Sequence, residues 1–187
     1  MSAQGRSWSG IARRIRVPLG FAFAIVYIGL ARPTWLSIAA GGALAAPGLL
    51  IRAMASGHVR KNRELTTSGP YAHTRNPLYL GSMIMGAGFA LCARNWWIAG
   101  GIALIFFAVY LPVIGAEEAH LRSEFSGFEG YSQHVPRLFP RFARTLPGSE
   151  ATPFSRELYL KHREYNALVG SVAMLLALAA KVVWLNR

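Results

Sequence analysis

Five apolar runs, joined alternately by two-residue breaks and long polar connections, set the frame of this chain. Val17 to Ala31 holds 15 uncharged residues between Arg16 and Arg32, whose long stems can snorkel to a headgroup layer. After Arg32-Pro33, Thr34 to Ile51 is uncharged over 18 residues, about the length that reads as a membrane-spanning helix. Small residues around Gly41-Gly42 favour close helix contact in lipid, and Pro47 is expected to kink this helix near its end. Residues 17–51 are thus predicted to form a helical hairpin. Arg52 to Asn76 is the first long polar connection. Pro77 to Ala93 is the third run, Arg94-Asn95 the next break, and Trp96 to Ala116 the fourth run, with Pro112 expected to bend it. Glu117 to Arg163 is the second long polar connection, and Asn166 to Trp184 the fifth run. The pattern predicts an all-α polytopic membrane protein with about five transmembrane helices in one integral membrane domain, residues 1–187. Within residues 153–187, an interfacial amphipathic or linker helix precedes the last span.

Composition sharpens this picture. The chain has 187 residues, 53% of them hydrophobic, and only 15% are charged where a soluble domain carries about 25%. Its net charge is +12. A nucleic-acid binder would carry its basic residues on a folded surface, whereas here they fall between long uncharged runs. Sixteen of the twenty lysines and arginines lie in the N-terminal segment and the two long connections. The positive-inside rule therefore predicts these three segments in the cytoplasm, with the protein in the cell inner membrane. Arg13, Arg14 and Arg16 before the first run resemble the start of a signal peptide. No small-residue cleavage site and polar mature region follow, so the first run reads as a retained helix. Cys92 lies within an apolar run, and no Cys/His cluster suggests a metal.

The chemistry concentrates where polar connections enter apolar runs. In Ser68-Gly69-Pro70-Tyr71-Ala72-His73-Thr74-Arg75-Asn76-Pro77-Leu78-Tyr79-Leu80-Gly81, Gly69-Pro70 marks a turn and Pro77 suits a first helical turn. His73, Arg75, Asn76 and Tyr79 crowd around the mouth of the run; anchoring to the membrane interface is the simpler use of such residues. At the end of the fourth run stand Glu117 and Glu118, two of only eight acids. Adjacent helical positions point about 100° apart, so one is expected to face a pocket and the other a cation such as Arg122 at i+4, unless both sit on a solvated helix end. Phe125, Phe128, Tyr131, Leu138, Phe139 and Phe142 predict that this connection folds against something. Gly81, Gly86 and Gly88 lack dinucleotide-fingerprint spacing and read as packing positions.

Gly69-Pro70-Tyr71, Arg75-Asn76-Pro77-Leu78-Tyr79-Leu80-Gly81, Glu117-Glu118, Leu121, Phe125, Gly130-Tyr131 and Val135-Pro136-Arg137 together resemble the isoprenylcysteine carboxyl methyltransferase family, whose wider relatives are membrane phospholipid methyltransferases. The likeness covers residues 65–142. It implies a membrane enzyme that binds S-adenosylmethionine at its cytoplasmic face. The cofactor would be held by Gly69, Pro70, Tyr71, His73, Arg75, Asn76, Pro77, Tyr79 and Leu80, and from the second connection by Glu117, Glu118, Tyr131 and Arg137. Arg75, Glu117 and Glu118 are the residues on which catalysis would depend. One departure stands out: Asn76 occupies the family's histidine position, and asparagine keeps hydrogen bonding but cannot titrate near neutral pH.

The residues agree with such a reaction. Methyl transfer from a sulfonium is an in-line displacement governed by alignment. Carboxylate and the faces of Tyr71, Tyr79 or Tyr131 suit a sulfonium cation. Arg75 or Arg137 could hold a carboxylate acceptor, while an amine acceptor would give Glu117 or Glu118 a proton to take. The expected partners are the bilayer and a lipophilic acceptor, either prenylated or lipid-like, with no nucleic acid and no metal. A phospholipid or small-thiol methyltransferase, a nicotinamide-dependent membrane reductase of related fold and a non-enzymatic scaffold are the alternatives.

Overall fold

The computed structural model describes residues 22–60, 64–141 and 152–185, and among these the regular structure is helical throughout. The basic N-terminal segment, Lys61, Arg63, Phe142 and the last two residues lie outside the described residues. Helix α1 occupies 22–30, α2 Trp35–His58, α3 Pro77–Ala93, α4 Trp96–Glu124, α5 Phe128–His134, α6 Arg156–Lys161 and α7 Tyr165–Leu185. Three of these, α2, α4 and α7, are long and apolar enough to cross a membrane. Helix α3 has 17 residues, about 25 Å of rise, and is a shorter apolar helix.

Local signals explain the ends. Thr34 and Ser37 form a capping box that starts α2, each side chain accepting from the other's backbone N–H. Pro77 opens α3 with no donor to satisfy, and Arg94, in left-handed backbone (φ 51°), closes it. Asn95 caps α4 through Trp97 N–H and donates its own amide to Leu30 O (2.9 Å). Lys181 of α7 donates to the carbonyls of Ile28 and Gly29, so two cross-chain donors satisfy the last turn of α1.

One expectation needs correction. The second helix does not end near Pro47 or at Ile51. It runs through Arg52 to His58, because Glu164 neutralises Arg52 and a paired arginine no longer interrupts the packed helix. Near Pro112 the fourth helix opens into a π turn, Phe106–Tyr110, with Leu111 N–H reaching back five residues to Phe106 O, and then continues to Glu124.

Helices α2 and α3 pack antiparallel, with backbone close against backbone at two pairs of glycines. Gly41 faces Gly88 and Gly48 faces Gly81 so closely that a Cβ at any of the four would come within 2.6 Å of the opposite helix. The sequence expectation of close packing is met at Gly41, Gly81 and Gly88. Gly42 instead faces Leu175 and Gly86 faces Ile102. At one end of the bundle Trp35, Trp96, Trp97 and Trp184 are exposed, the arrangement expected where helices leave a hydrocarbon layer. The other end carries the polar connections.

Candidate functional site

At the polar end the two connections fold onto each other. Gly69, with φ +58°, begins the 3-10 turn Gly69–Ala72 and lies flat against the His58 ring; a Cβ there would fall 2.6 Å from that ring. The chain then runs alongside residues 131–141. Tyr131 Oη donates to Tyr71 O (2.8 Å), Arg75 N–H to Pro136 O (2.9 Å) and the Thr74 hydroxyl to Leu138 O (2.9 Å). Arg141 N–H donates to His73 O, and His73 Nδ1 lies 2.9 Å from Arg141 O. His73 is thus engaged in holding the two segments together. Beneath this ladder Phe128, Tyr131 and Val135 are buried against Leu65, Leu121 and Phe125, as the aromatic spacing predicted. Phe139 is an exception, standing 72% exposed.

Glu118 is the centre of the assembly. Its Oε1 accepts from Asn76 Nδ2 (2.9 Å) and lies 3.6 Å from Arg75 Nε, and its Oε2 lies 3.2 Å from Arg137 Nε. The same Asn76 amide donates to Arg137 O (2.9 Å). Asparagine serves here because one NH₂ reaches two acceptors at once, the Glu118 carboxylate and the Arg137 carbonyl. The expected Glu118–Arg122 pair does not form. Glu118 turns inward to three cross-chain partners, and Arg122 pairs with Glu129 at 3.1 Å on the exposed surface. Arg75 and Arg122 both lie over the Phe128 ring, with guanidinium carbons 6.0 and 5.7 Å from its centroid.

Two guanidinium groups against one carboxylate leave a surplus positive charge at Glu118. Arg75 Nε is buried and has no hydrogen-bond partner among the described residues. Glu118 Oε1, 3.6 Å away, stands beyond hydrogen-bond distance of it.

Glu117, one residue away, is exposed on a different side of α4. It lies near the Tyr71 hydroxyl, which burial pushes well above the usual tyrosine range, reinforced by Tyr131, Glu117, Tyr79 and Glu164. Burial also raises Tyr131, against the opposing pull of Arg75. Both phenols stay neutral at physiological pH and present an O–H and an aromatic face. Tyr79 packs edge-on against Tyr110, with ring centroids 5.5 Å apart. Pro77 and Leu80 are buried at the start of α3 and Pro70 is half-buried in the 3-10 turn; these three shape the backbone and contribute no polar group.

The adjacent glutamates thus look onto two neighbouring regions. Glu118 faces the guanidinium groups of Arg75 and Arg137 and the amide of Asn76, and Glu117 lies near the buried Tyr71. A cofactor with a carboxylate at one end and a sulfonium in its middle fits this pair of environments.

Sequence reasoning missed a second ion pair beside the site. Arg52 Nε and Nη2 lie 2.5 Å from Glu164 Oε1, and Arg52 Nη1 donates to Ser82 Oγ and reaches Leu78 O at 3.4 Å. Gly81 makes room for the Arg52 stem. Phe154, His162 and Ser155 clamp the segment before α7 onto the end of α2: Phe154 against Gly57 and His58, His162 Nδ1 3.0 Å from Ser56 O, and Ser155 N–H donating to Gly57 O. The partners are 112 residues apart in the Arg52–Glu164 pair, so no local pattern announces them.

Comparison with known proteins adds the following. A family model described as phospholipid methyltransferase matches residues 21–127. The chain is 36% identical over 84 residues to the cobalt-zinc-cadmium resistance protein CzcN of Cupriavidus metallidurans, covering 45% of this chain and 39% of that protein. It is 36% identical over 93 residues to the nickel-cobalt-cadmium resistance protein NccN of Alcaligenes xylosoxydans xylosoxydans, covering 50% of this chain and 43% of that protein. The matched stretches thus span about two-fifths of each relative's length. No solved structure gives a significant match.

Proposed function

The chain belongs to the phospholipid methyltransferase family, and from that premise we propose that it moves a methyl group from S-adenosylmethionine to a lipophilic acceptor dissolved in the bilayer. The observation that carries this reading is Glu118, held by Arg75, Asn76 and Arg137 from two separate connections at the polar end of a membrane bundle. The positive-inside rule favours the cytoplasm for that end.

When bound, S-adenosylmethionine would supply an electrophilic methyl group on a sulfonium. The Arg75 guanidinium would hold the cofactor's carboxylate, and Glu118 would hold Arg75 and Arg137 in place. The faces of Tyr71 and Tyr79 and the carboxylate of Glu117 would favour the positive sulfur. The segment carrying Phe128 and Tyr131 would exclude water. A prenylcysteine carboxylate is the acceptor most like the resemblance; it is already nucleophilic, and half-exposed Arg137 could orient it. With a phospholipid amine, Glu117 would take the proton released. The relatives' names concern resistance to metal ions. A direct metal-binding role draws no support from the described residues, in which no three His, Cys, Asp or Glu side chains group together.

The deciding experiment is calorimetric titration of S-adenosylhomocysteine into the detergent-purified protein. Saturable one-site binding is expected; its absence in folded protein would sink the proposal. Asn76 supplies a more local check. Asn76→Leu removes two hydrogen bonds, one of them to a charged group, and is expected to cost about 2 kcal/mol of binding, roughly thirtyfold in affinity. Asn76→His keeps a ring donor and is expected to stay within about fivefold of wild type. Equal affinities for Asn76→Leu and wild type would mean that Asn76 does not position Glu118.

A further inference from the structure

Residues 152–185 lie beyond the family-matched stretch 21–127, yet they grip the candidate site at two points. At the first, Phe154 packs edge-on against His58, with ring centroids 6.2 Å apart, and the same His58 ring lies against Gly69, where the turn carrying Tyr71 begins. At the second, Glu164 pairs with Arg52, whose Nη1 bonds Ser82 Oγ and reaches Leu78 O in the first two turns of α3. Arg163, the residue before Glu164, has φ 54°, a left-handed conformation unfavourable to any residue with a Cβ. It makes the corner between α6 and α7 and delivers Glu164 to Arg52. Backbone strain of this kind persists where the surroundings over-determine it, and it clusters at functional sites.

Glu164 also stands near Tyr71. That residue is 9% exposed; its carbonyl accepts from Tyr131, while its hydroxyl has no hydrogen-bond partner among the described residues. The charged groups that act on this phenol are the carboxylates of Glu117 and Glu164, whereas Arg75 acts on Tyr131. Arg52 is not among them, so the carboxylate is the end of the ion pair nearer Tyr71. The surroundings of Tyr71 are thus negative, beside the two guanidinium groups that gather at Glu118. The two carboxylates differ in reach. Glu117 is exposed, and water screens it; the Glu164 side chain is 12% exposed, and its charge is screened much less. Fastening α7 to α2 requires the ion pair but does not require its carboxylate end to face Tyr71.

We propose that Glu164 is a further carboxylate of the cofactor site, supplied by the C-terminal segment and held by Arg52, whose charge favours a sulfonium over a neutral thioether beside Tyr71; the assignment rests on the methyltransferase reading above. When the methyl group leaves, the sulfur keeps the bonding electron pair and becomes neutral. The attraction of Glu164 is then lost with the charge. A carboxylate in this place therefore favours exchange of the spent thioether for fresh sulfonium, and it ties that selectivity to residues beyond the family-matched stretch.

The test compares, by calorimetry on the full chain in detergent, the affinities of S-adenosylmethionine and S-adenosylhomocysteine. The two ligands differ by one methyl group and one unit of charge. Their affinity ratio therefore reads charge, whereas a general loss of shape lowers both affinities together. A unit charge acting across about 10 Å at an effective dielectric of about 20 changes affinity by about fifteenfold, and Arg52 behind Glu164 opposes part of this. Glu164→Gln is accordingly expected to lower the ratio of S-adenosylmethionine to S-adenosylhomocysteine affinity about fivefold. The double variant Arg52→Gln/Glu164→Gln leaves no unpaired charge and is the one to use if the single variant does not fold; it should lower the ratio by a similar factor. Arg52→Gln alone keeps the carboxylate and should hold the ratio at or above the wild-type value. A ratio unchanged in both variants that lack the carboxylate, or lowered equally by Arg52→Gln, would overturn the assignment and leave the methyltransferase reading in place. Folded wild-type protein that binds neither ligand would overturn both, so the two failures are separable.

Discussion

Replacing Glu118 by glutamine is expected to lower methyl transfer at least about a hundredfold. The side chain keeps its shape, but Arg75 loses the only carboxylate within reach of its guanidinium among the described residues. Both Arg75 and Glu118 are about 15% exposed, so the pair is largely desolvated. Breaking a pair of that kind typically costs about 3–5 kcal/mol, because the remaining charge stays buried without compensation. Arg137, about half exposed, adds little to this cost because solvent screens it. The substituted amide would also direct an N–H toward a guanidinium or toward the Asn76 amide. The cationic cluster should therefore open, and cofactor affinity should fall with it. Initial rates on membrane lipid extracts and S-adenosylhomocysteine titration check this directly. Arg75→Ala should be similarly impaired, and the double variant should be little worse than either single one, since both remove the same coupled unit. Strict additivity would place the two residues in separate roles. Glu117→Gln distinguishes acceptors: exposed and outside the cluster, it should matter little for a carboxylate acceptor and markedly for an amine that must lose a proton. Wild-type turnover by Glu118→Gln would remove Glu118 from the site altogether.

Much of the frame was legible in the chain because it is encoded locally. Asn76-Pro77 and Arg94-Asn95 are backbone signals, and α3 begins and ends where they say. The Trp96-Trp97 pair stands exposed at a helix start. What failed to show was decided by distant partners. Arg52 looked like the end of a span because a charge in an apolar segment is costly, yet Glu164, from the junction before α7, cancels it and the helix proceeds. Glu118 had Arg122 at the local i+4 spacing, an exposed pair worth a few tenths of a kcal/mol. Two arginines and an amide from other segments offered a more buried, charge-assisted arrangement, and that arrangement won. The family resemblance gathered segments that the fold packs together, but not their side-chain pairing, and it said nothing of the Arg52–Glu164–Ser82 group.

The largest expected effect on stability comes from the α2–α3 seam. A Cβ at Gly88 would lie 2.5 Å from Gly41 O, and one at Gly48 would lie 2.6 Å from Gly81 O. In each case the obstacle is backbone, which cannot swing aside as a side chain can, so the helices themselves must separate. Core overpacking by a movable group costs about 1–3 kcal/mol. Here the cost should reach at least about 3 kcal/mol, because separation also removes dispersion contacts along the seam, where lipid supplies no hydrophobic drive for helix pairing. Gly88→Ala and Gly48→Ala should thus melt well below wild type in detergent, read as loss of the monodisperse peak after heating. Gly48→Ala should also weaken cofactor binding in the protein that remains folded, because pushing α2 from Gly81 displaces Arg52 and Ser82 from the mouth of α3. Gly100→Ala and Gly170→Ala serve as controls: nothing lies within 4 Å of either added Cβ, and both should melt within about 0.5 kcal/mol of wild type. Equal melting of Gly88→Ala and Gly100→Ala would mean that the two helices do not meet backbone to backbone, and the placement of α3 that brings Tyr79 and Asn76 to the site would fall with it.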